Sequence, residues 1–343
     1  MKSRSWRILW LAVGLALLGL VLWRSDPRKT WDQLLRAIEH PWLLAAAVGL
    51  LAAAQACFFL KWHLMSRLAG AAASARQSLR LFSTLFLVGT FTPGRAGELA
   101  VPLLMRGGPR LMSVTLVNRI LESATTVAMG AVAFLFVFTS GQRVRDTVVL
   151  AAVLGCFVLA MVILSRRQWT ERLFDALRRC LRPMERWRSV ARLVAREDRI
   201  RAALGPFYEA NRRLLQWPVV LLLGVMMVLI WLVMVAANGA LIQATVDSSS
   251  GAPVTVPHLL AVMAVIAVSM FVSPTPGGLG VSEGAAVLFF RQLGYSQDFV
   301  PFLLLSRLGL YLVIGLFFVI GRMLGRPLPE PEAQAERVAG ESP

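Results

Sequence analysis

The chain has 343 residues, 57% hydrophobic and 16% charged, with 36 basic against 19 acidic side chains and a formal net charge of +17. Several apolar runs exceed the roughly 20 residues that span a bilayer, which excludes a soluble globular protein and gives a helical integral membrane protein. The charge does not point to nucleic acid as a partner: the basic residues are nearly all arginine, they cluster in loops between apolar spans, and no stacking or base-reading motif accompanies them.

The first predicted span is about Trp6–Trp23. It ends in Trp23-Arg24-Ser25-Asp26-Pro27 with no small-residue cleavage site, so it reads as an uncleaved span rather than a signal peptide. A short interfacial helix is expected between Arg24 and His40, then a second span over Pro41–Leu64. Lys61, Arg67, Arg76 and Arg80 are read as marking the cytoplasmic side. The apolar run Leu81–Met105 is broken by Pro93, Gly94 and Gly97 and is basic at both ends, the pattern of a re-entrant hairpin of two half-helices. Spans three and four follow at about Leu111–Phe138 and Thr147–Ser165.

Residues 166–216 hold 14 arginines and 6 acids and are read as a cytoplasmic amphipathic linker. Leu173, Leu177, Leu181, Met184, Trp187, Ala191 and Val194 recur there at helical spacing, with a bend near Pro183. Such helices would lie on the inner leaflet or pack under the bundle. A fifth span covers about Trp217–Ala244, and an outer loop over Thr245–Pro257 has Asp247 and no basic residue. A second broken run, His258–Leu293, is interrupted by Pro274, Pro276, Gly277, Gly278 and Gly280; Arg291 is an exception to the arginine bias there. The last span is Phe299–Gly321, and the polar tail 327–343 is expected to be disordered.

The expected fold is therefore all-α: six spanning helices and two re-entrant broken-helix hairpins in a single membrane domain, residues 1–326. Residues 41–139 and 217–322 have the same element order and opposite orientation, an inverted repeat. Both termini would be cytoplasmic, in a bacterial inner (plasma) membrane. Each half carries a TPGxxG motif at its break, Thr92-Pro93-Gly94 to Gly97 and Thr275-Pro276-Gly277 to Gly280, followed by Glu98 or Glu283. Asn118-Arg119 and Ser306-Arg307 lie about eight residues into their spans, roughly 12 Å deep at 1.5 Å per residue. Glu122 is at i+3 from Arg119, whereas Leu310 stands at the matching place in the second half.

Ionisable groups at membrane depth pair with one another or line a polar cavity. Two broken helices at matching places in two halves point to a binding site at the repeat interface. Half-helices after Gly94 and Gly280 would aim amides at an anion, Arg95, Arg119 and Arg307 would hold a phosphate, and Glu98 and Glu283 would neutralise arginines or bind a cationic headgroup, with Glu122 a further candidate beside Arg119. The plainer alternative is internal salt bridges that pin the hairpins. Gln55, Asn238 and Gln243 are expected in inter-helix hydrogen bonds. Cys57, Cys156, Cys180, His40, His63 and His258 offer neither a disulfide framework nor metal spacing, so no cofactor is expected.

The strings TPGRAGEL, LLMR, VNRILE, PTPGGLGVSEG and LSRL, running from Thr92 to Leu308, resemble the lysylphosphatidylglycerol synthase transmembrane family, also called flippase-like domain proteins. The resemblance covers about residues 5–325. It implies a membrane domain that moves aminoacylated phospholipid between leaflets or serves glycolipid or hopanoid pathways. Full-length synthases add a soluble aminoacyl-transfer domain; here about twenty polar residues follow the last span, so synthesis of the aminoacyl lipid is not expected. Three functions are weighed. The first is a flippase or transporter of a lipid or lipid-linked substrate, non-enzymatic. The second is an accessory subunit that binds a lipid- or glycan-synthesis enzyme through the basic linker. The third, a membrane-embedded transferase, lacks an evident acid/base or nucleophile constellation.

Overall fold

The computed structural model describes residues 2–24, 27–71, 74–92, 95, 97–104, 108–137, 197–246 and 253–325, with a few single residues between 159 and 172. The expected fourth span, most of the amphipathic linker, Pro93, Gly94 and the polar tail lie outside the described residues. Eleven α-helices follow in order among the described residues: α1 Lys2–Arg24, α2 Pro27–Glu39, α3 Pro41–Leu68, α4 Ala75–Thr90, α5 Gly97–Leu104, α6 Gly108–Val137, α7 Glu197–Leu214, α8 Trp217–Thr245, α9 Val256–Val272, α10 Val281–Gln292 and α11 Val300–Leu324. Four of them, α3, α6, α8 and α11, are long and apolar enough to cross a membrane. The chain is thus a multi-pass, all-helical membrane protein.

Local sequence sets the helix boundaries. Prolines at the first turn start α3, α8, α9 and α11, where the missing N–H costs nothing. Ser74 caps α4 reciprocally with Gln77, each side chain bonded to the other's backbone N–H at 3.2 Å. The two broken runs are broken where expected: α4 ends at Thr90 and α5 begins at Gly97, while α9 ends at Val272 and α10 begins at Val281. In each case the two halves pack against each other. At about 1.5 Å per residue none of these half-helices reaches the roughly 30 Å of a bilayer core.

The bundle is built on α3 against α8, with α4 against α11 and α6 against α9. Small residues allow the last two crossings to be close. A Cβ at Gly130 of α6 would lie 2.9 Å from that of Ala264 in α9, and one at Gly321 of α11 would collide with the Ser83 hydroxyl of α4. The short helix α2 packs on α3, α8 and α11, and α7 packs on α8, α3 and α6. Thr30 of α2 donates to Asp298 Oδ2, just before α11, at 3.1 Å. Buried Ser113 of α6 bonds buried Asn211 of α7. Residues 197–214 thus pack against the bundle, with Ala210, Asn211 and Leu214 fully enclosed, whereas the residues from Leu173 to Val194 lie outside the described residues.

The structure corrects two expectations. Lys61, read as marking the cytoplasmic side, does not face solvent; it is fully buried within α3, with Nζ donating to Met227 Sδ at 2.8 Å and lying 5.1 Å from the Phe58 ring centroid. Gln243 is exposed and makes no inter-helix hydrogen bond among the described residues.

Candidate functional site

The first charged cluster gathers on the break between α4 and α5 and on the adjoining face of α6. Arg95 Nη2 is 2.5 Å from Glu98 Oε1, and its Nη1 is 3.3 Å from Glu122 Oε2. Arg119 Nη1 lies 3.4 Å from Glu122 Oε2 and 3.8 Å from Glu98 Oε2. Asn118 Nδ2 donates to Glu122 Oε1 at 3.0 Å. Neither Glu98 oxygen has a directed hydrogen bond among the described residues, so its contacts with the arginines are charge–charge rather than aligned. Both carboxylates are buried, which a low-dielectric interior tolerates only with such partners.

Arg95 carries this cluster in a costly backbone conformation. Its φ is +56°, and Gly278, the residue at the same motif position in the second half, has φ +73°. An L side chain in the left-handed region costs about 1–2 kcal/mol relative to glycine. From there the guanidinium reaches both glutamates and stacks over Phe86, with Cζ 5.3 Å from the ring centroid.

The second cluster is simpler. Arg307 Nε donates to Glu283 Oε1 at 2.6 Å, and Arg307 Nη2 bonds the Ser282 hydroxyl. Glu283 Oε2 accepts from Gly280 N at 2.8 Å and from Ser282 Oγ at 3.1 Å. The expected anion-binding amide at the start of α10 is therefore taken by the protein's own carboxylate, which caps the helix. Ser306 donates to Asn238 Oδ1 at 2.8 Å, joining α11 to α8 as expected of Asn238.

The motif threonines serve the turns. Thr92 Oγ1 accepts from Gly97 N at 2.8 Å and donates to Gly89 O at 3.1 Å. Thr275 Oγ1 donates to Leu279 O at 2.9 Å and contacts the Ser273 hydroxyl at 2.7 Å. The turn at Pro276 and Gly277 meets the first hairpin directly. A Cβ at Gly277 would sit 2.9 Å from the Thr90 carbonyl oxygen and 3.2 Å from the Tyr311 hydroxyl. Gly280 is pressed against Gly14, Leu17 and Leu18, so α1 backs the second turn.

One cavity of about 190 Å³ joins both clusters. Arg95 and Glu122 face it from the first half, and Ser282, Glu283 and Arg307 from the second. Arg119 and Glu98 stand behind the first pair. Gln55, Thr90, Thr126, Asn238 and Ser306 add polar atoms to a wall of Phe58, Phe86, Trp231 and methionines. Sequence reasoning found six charged residues of the two clusters and missed Ser282 as an Arg307 partner, Tyr311 at the turn, and Lys61 behind Phe58 and Met227. Gln55 is buried on the cavity wall, but its Nε2 makes no inter-helix hydrogen bond among the described residues.

Residues 7–317 match the family described as the lysylphosphatidylglycerol synthase TM region, and the chain belongs to that family. No curated protein matches the chain, and no solved structure matches it.

Proposed function

Proceeding from that family membership, we propose that the chain is a non-enzymatic carrier. It takes the polar headgroup of a lipid or lipid-linked molecule into the central cavity and passes it between the two leaflets. The observation that carries this reading is one shared cavity lined by charged residues of both clusters: Arg95 and Glu122, with Glu283 and Arg307. At about 190 Å³ it has room for a headgroup, and the acyl chains would stay in the bilayer.

Helix packing supports a two-sided arrangement. Exchange α2–α6 with α7–α11 in order, and the pairings map onto themselves. The α3–α8 contact returns to itself, α4–α11 becomes α6–α9, and the three partners of α2 become the three partners of α7. The arginine bias, which runs in opposite senses in the two sets, supports reading them as inverted repeats with re-entrant hairpins and both termini on the cytoplasmic side. The two breaks meet at the repeat interface, where rocking of one set against the other would expose the cavity alternately.

The test is leaflet exchange of labelled phospholipids in proteoliposomes, with Glu98→Gln and Arg307→Ala beside wild type. Exchange that is lost in variants retaining the wild-type elution volume supports the reading. No exchange of anionic, cationic or zwitterionic lipids would remove transport of common phospholipids.

A further inference from the structure

The two halves of the cavity differ in one respect that bears on what enters it. In the first half Glu122 receives Asn118 Nδ2 at 3.0 Å, Arg95 Nη1 at 3.3 Å and Arg119 Nη1 at 3.4 Å. In the second half the pair Ser306-Arg307 takes the place of Asn118-Arg119, and Leu310, on the cavity wall, takes the place of Glu122. The consequence is visible at Arg307. Its Nε and Nη2 are used by Glu283 and Ser282, while Nη1 is buried and makes no hydrogen bond among the described residues; the Tyr311 hydroxyl is near the same guanidinium. A second donor shares this condition. Gln55 of α3 is 3% exposed, lines the cavity, and makes no hydrogen bond through Nε2 among the described residues. The two belong to touching helices: α3 packs on α11, with Leu51, one turn before Gln55, against Gly309.

Resting on the headgroup-binding reading, we propose that the cavity selects a lipid headgroup of net negative charge, a phosphodiester whose anionic oxygens are received by Arg307 Nη1 and Gln55 Nε2. The ligand anion supplies in the second half what Glu122 supplies in the first. The charge balance agrees. Four basic side chains, Lys61, Arg95, Arg119 and Arg307, stand in or directly behind the cavity with three carboxylates, Glu98, Glu122 and Glu283. Lys61 has a thioether and an aromatic ring for neighbours and no carboxylate within ion-pair distance among the described residues. A zwitterionic or cationic headgroup would add an ammonium to this set, whereas a monoanion completes it. The methionine and aromatic wall, with Trp231, Met227, Met234 and Met270, favours a lipid over free phosphate.

The experiment is binding to the purified full chain in detergent, by calorimetry, of dioctanoyl phosphatidylglycerol, dioctanoyl phosphatidylcholine and inorganic phosphate. The expected result is at least tenfold tighter binding of phosphatidylglycerol than of either other probe. Leu310→Glu places a built-in carboxylate beside Arg307. It should weaken phosphatidylglycerol binding at least tenfold while leaving the thermal midpoint at or above that of wild type. Gln55→Leu, a neutral change that tests the same site without adding charge, should weaken it severalfold. Phosphatidylcholine bound as tightly as phosphatidylglycerol, or a folded Leu310→Glu protein that binds like wild type, would overturn the proposal, and phosphate bound as tightly as the lipid would overturn the lipid assignment. Phosphatidylglycerol binding without leaflet exchange would sink the carrier reading alone. Exchange of phosphatidylcholine, unaffected by Leu310→Glu, would sink this proposal alone.

Discussion

Gly277→Ala tests whether the two hairpin breaks touch. Gly277 has φ +62°, and an added methyl would meet the Thr90 carbonyl oxygen at 2.9 Å. The left-handed backbone costs an L-residue about 1–2 kcal/mol, offset by about 0.4–1 kcal/mol from a less flexible unfolded chain. The contact adds more, because its partner is backbone rather than a side-chain tip that can swing aside. Thr90 ends α4, and its hydroxyl is bonded to Phe86 O at 2.8 Å, so the carbonyl moves only with the helix. Overpacking of this kind costs about 1–3 kcal/mol, for a total of about 1–5 kcal/mol. Two glycines calibrate the experiment. Gly294 has φ +85° but no atom within 4 Å of its would-be Cβ, so Gly294→Ala carries the backbone term alone, about 1 kcal/mol or less. Gly224, within α8 and equally open, should be neutral or stabilised by alanine. Thermal unfolding of the purified variants in one detergent should give midpoints that rise from Gly277→Ala through Gly294→Ala to wild type and Gly224→Ala. A Gly277→Ala midpoint no lower than that of Gly294→Ala would show that the second turn does not abut α4, and the meeting of the two motifs would be wrong.

A double-mutant cycle on Glu283→Gln and Arg307→Gln should find single losses of about 3–5 kcal/mol each and a coupling above about 1.7 kcal/mol, the upper end for neutral inter-helix contacts in membranes; a coupling near 0.6 kcal/mol would mean that water reaches the pair. Lys61→Met should change stability by less than about 1 kcal/mol, or raise it, since the ammonium is buried against a thioether and a ring and makes no ion-pair contact among the described residues. A loss as large as that of Arg307→Gln would mean that Lys61 holds an ion pair absent from this arrangement, an outcome that unfolding by detergent titration would detect.

The breaks were legible in the sequence because adjacent proline and glycine, as in Pro93-Gly94 and Pro276-Gly277-Gly278, disfavour a helix by local sterics and lost backbone hydrogen bonds. The charged residues were legible because arginine and glutamate within apolar runs have few tolerable fates. Lys61 was not, because it stands just before Trp62, His63 and Arg67, the company of an interfacial residue; only the packing of α8 across α3 encloses it. The equivalence of α2 and α7 was also hidden. Their sequences share no motif, so the match exists only in what each helix packs against.

The differences between the two motif-bearing clusters say more about function than their likeness does. The first turn gains nothing by itself from an arginine at φ +56°, where the second motif has glycine at φ +73°. The return is a first half whose Glu98 and Glu122 are met by Arg95 and Arg119 from within. In that half each carboxylate already has two guanidinium neighbours. The second half holds Arg307 by only part of its guanidinium, through Glu283 and Ser282, and leaves one nitrogen without a hydrogen bond among the described residues. Under the proposed function this division solves the difficulty of a buried carrier site. A headgroup must be attracted, yet its departure must not strand a bare charge in the membrane, where that would cost several kcal/mol. Glu283 keeps Arg307 paired when the cavity is empty, and the remaining nitrogen draws the anion weakly enough to release it.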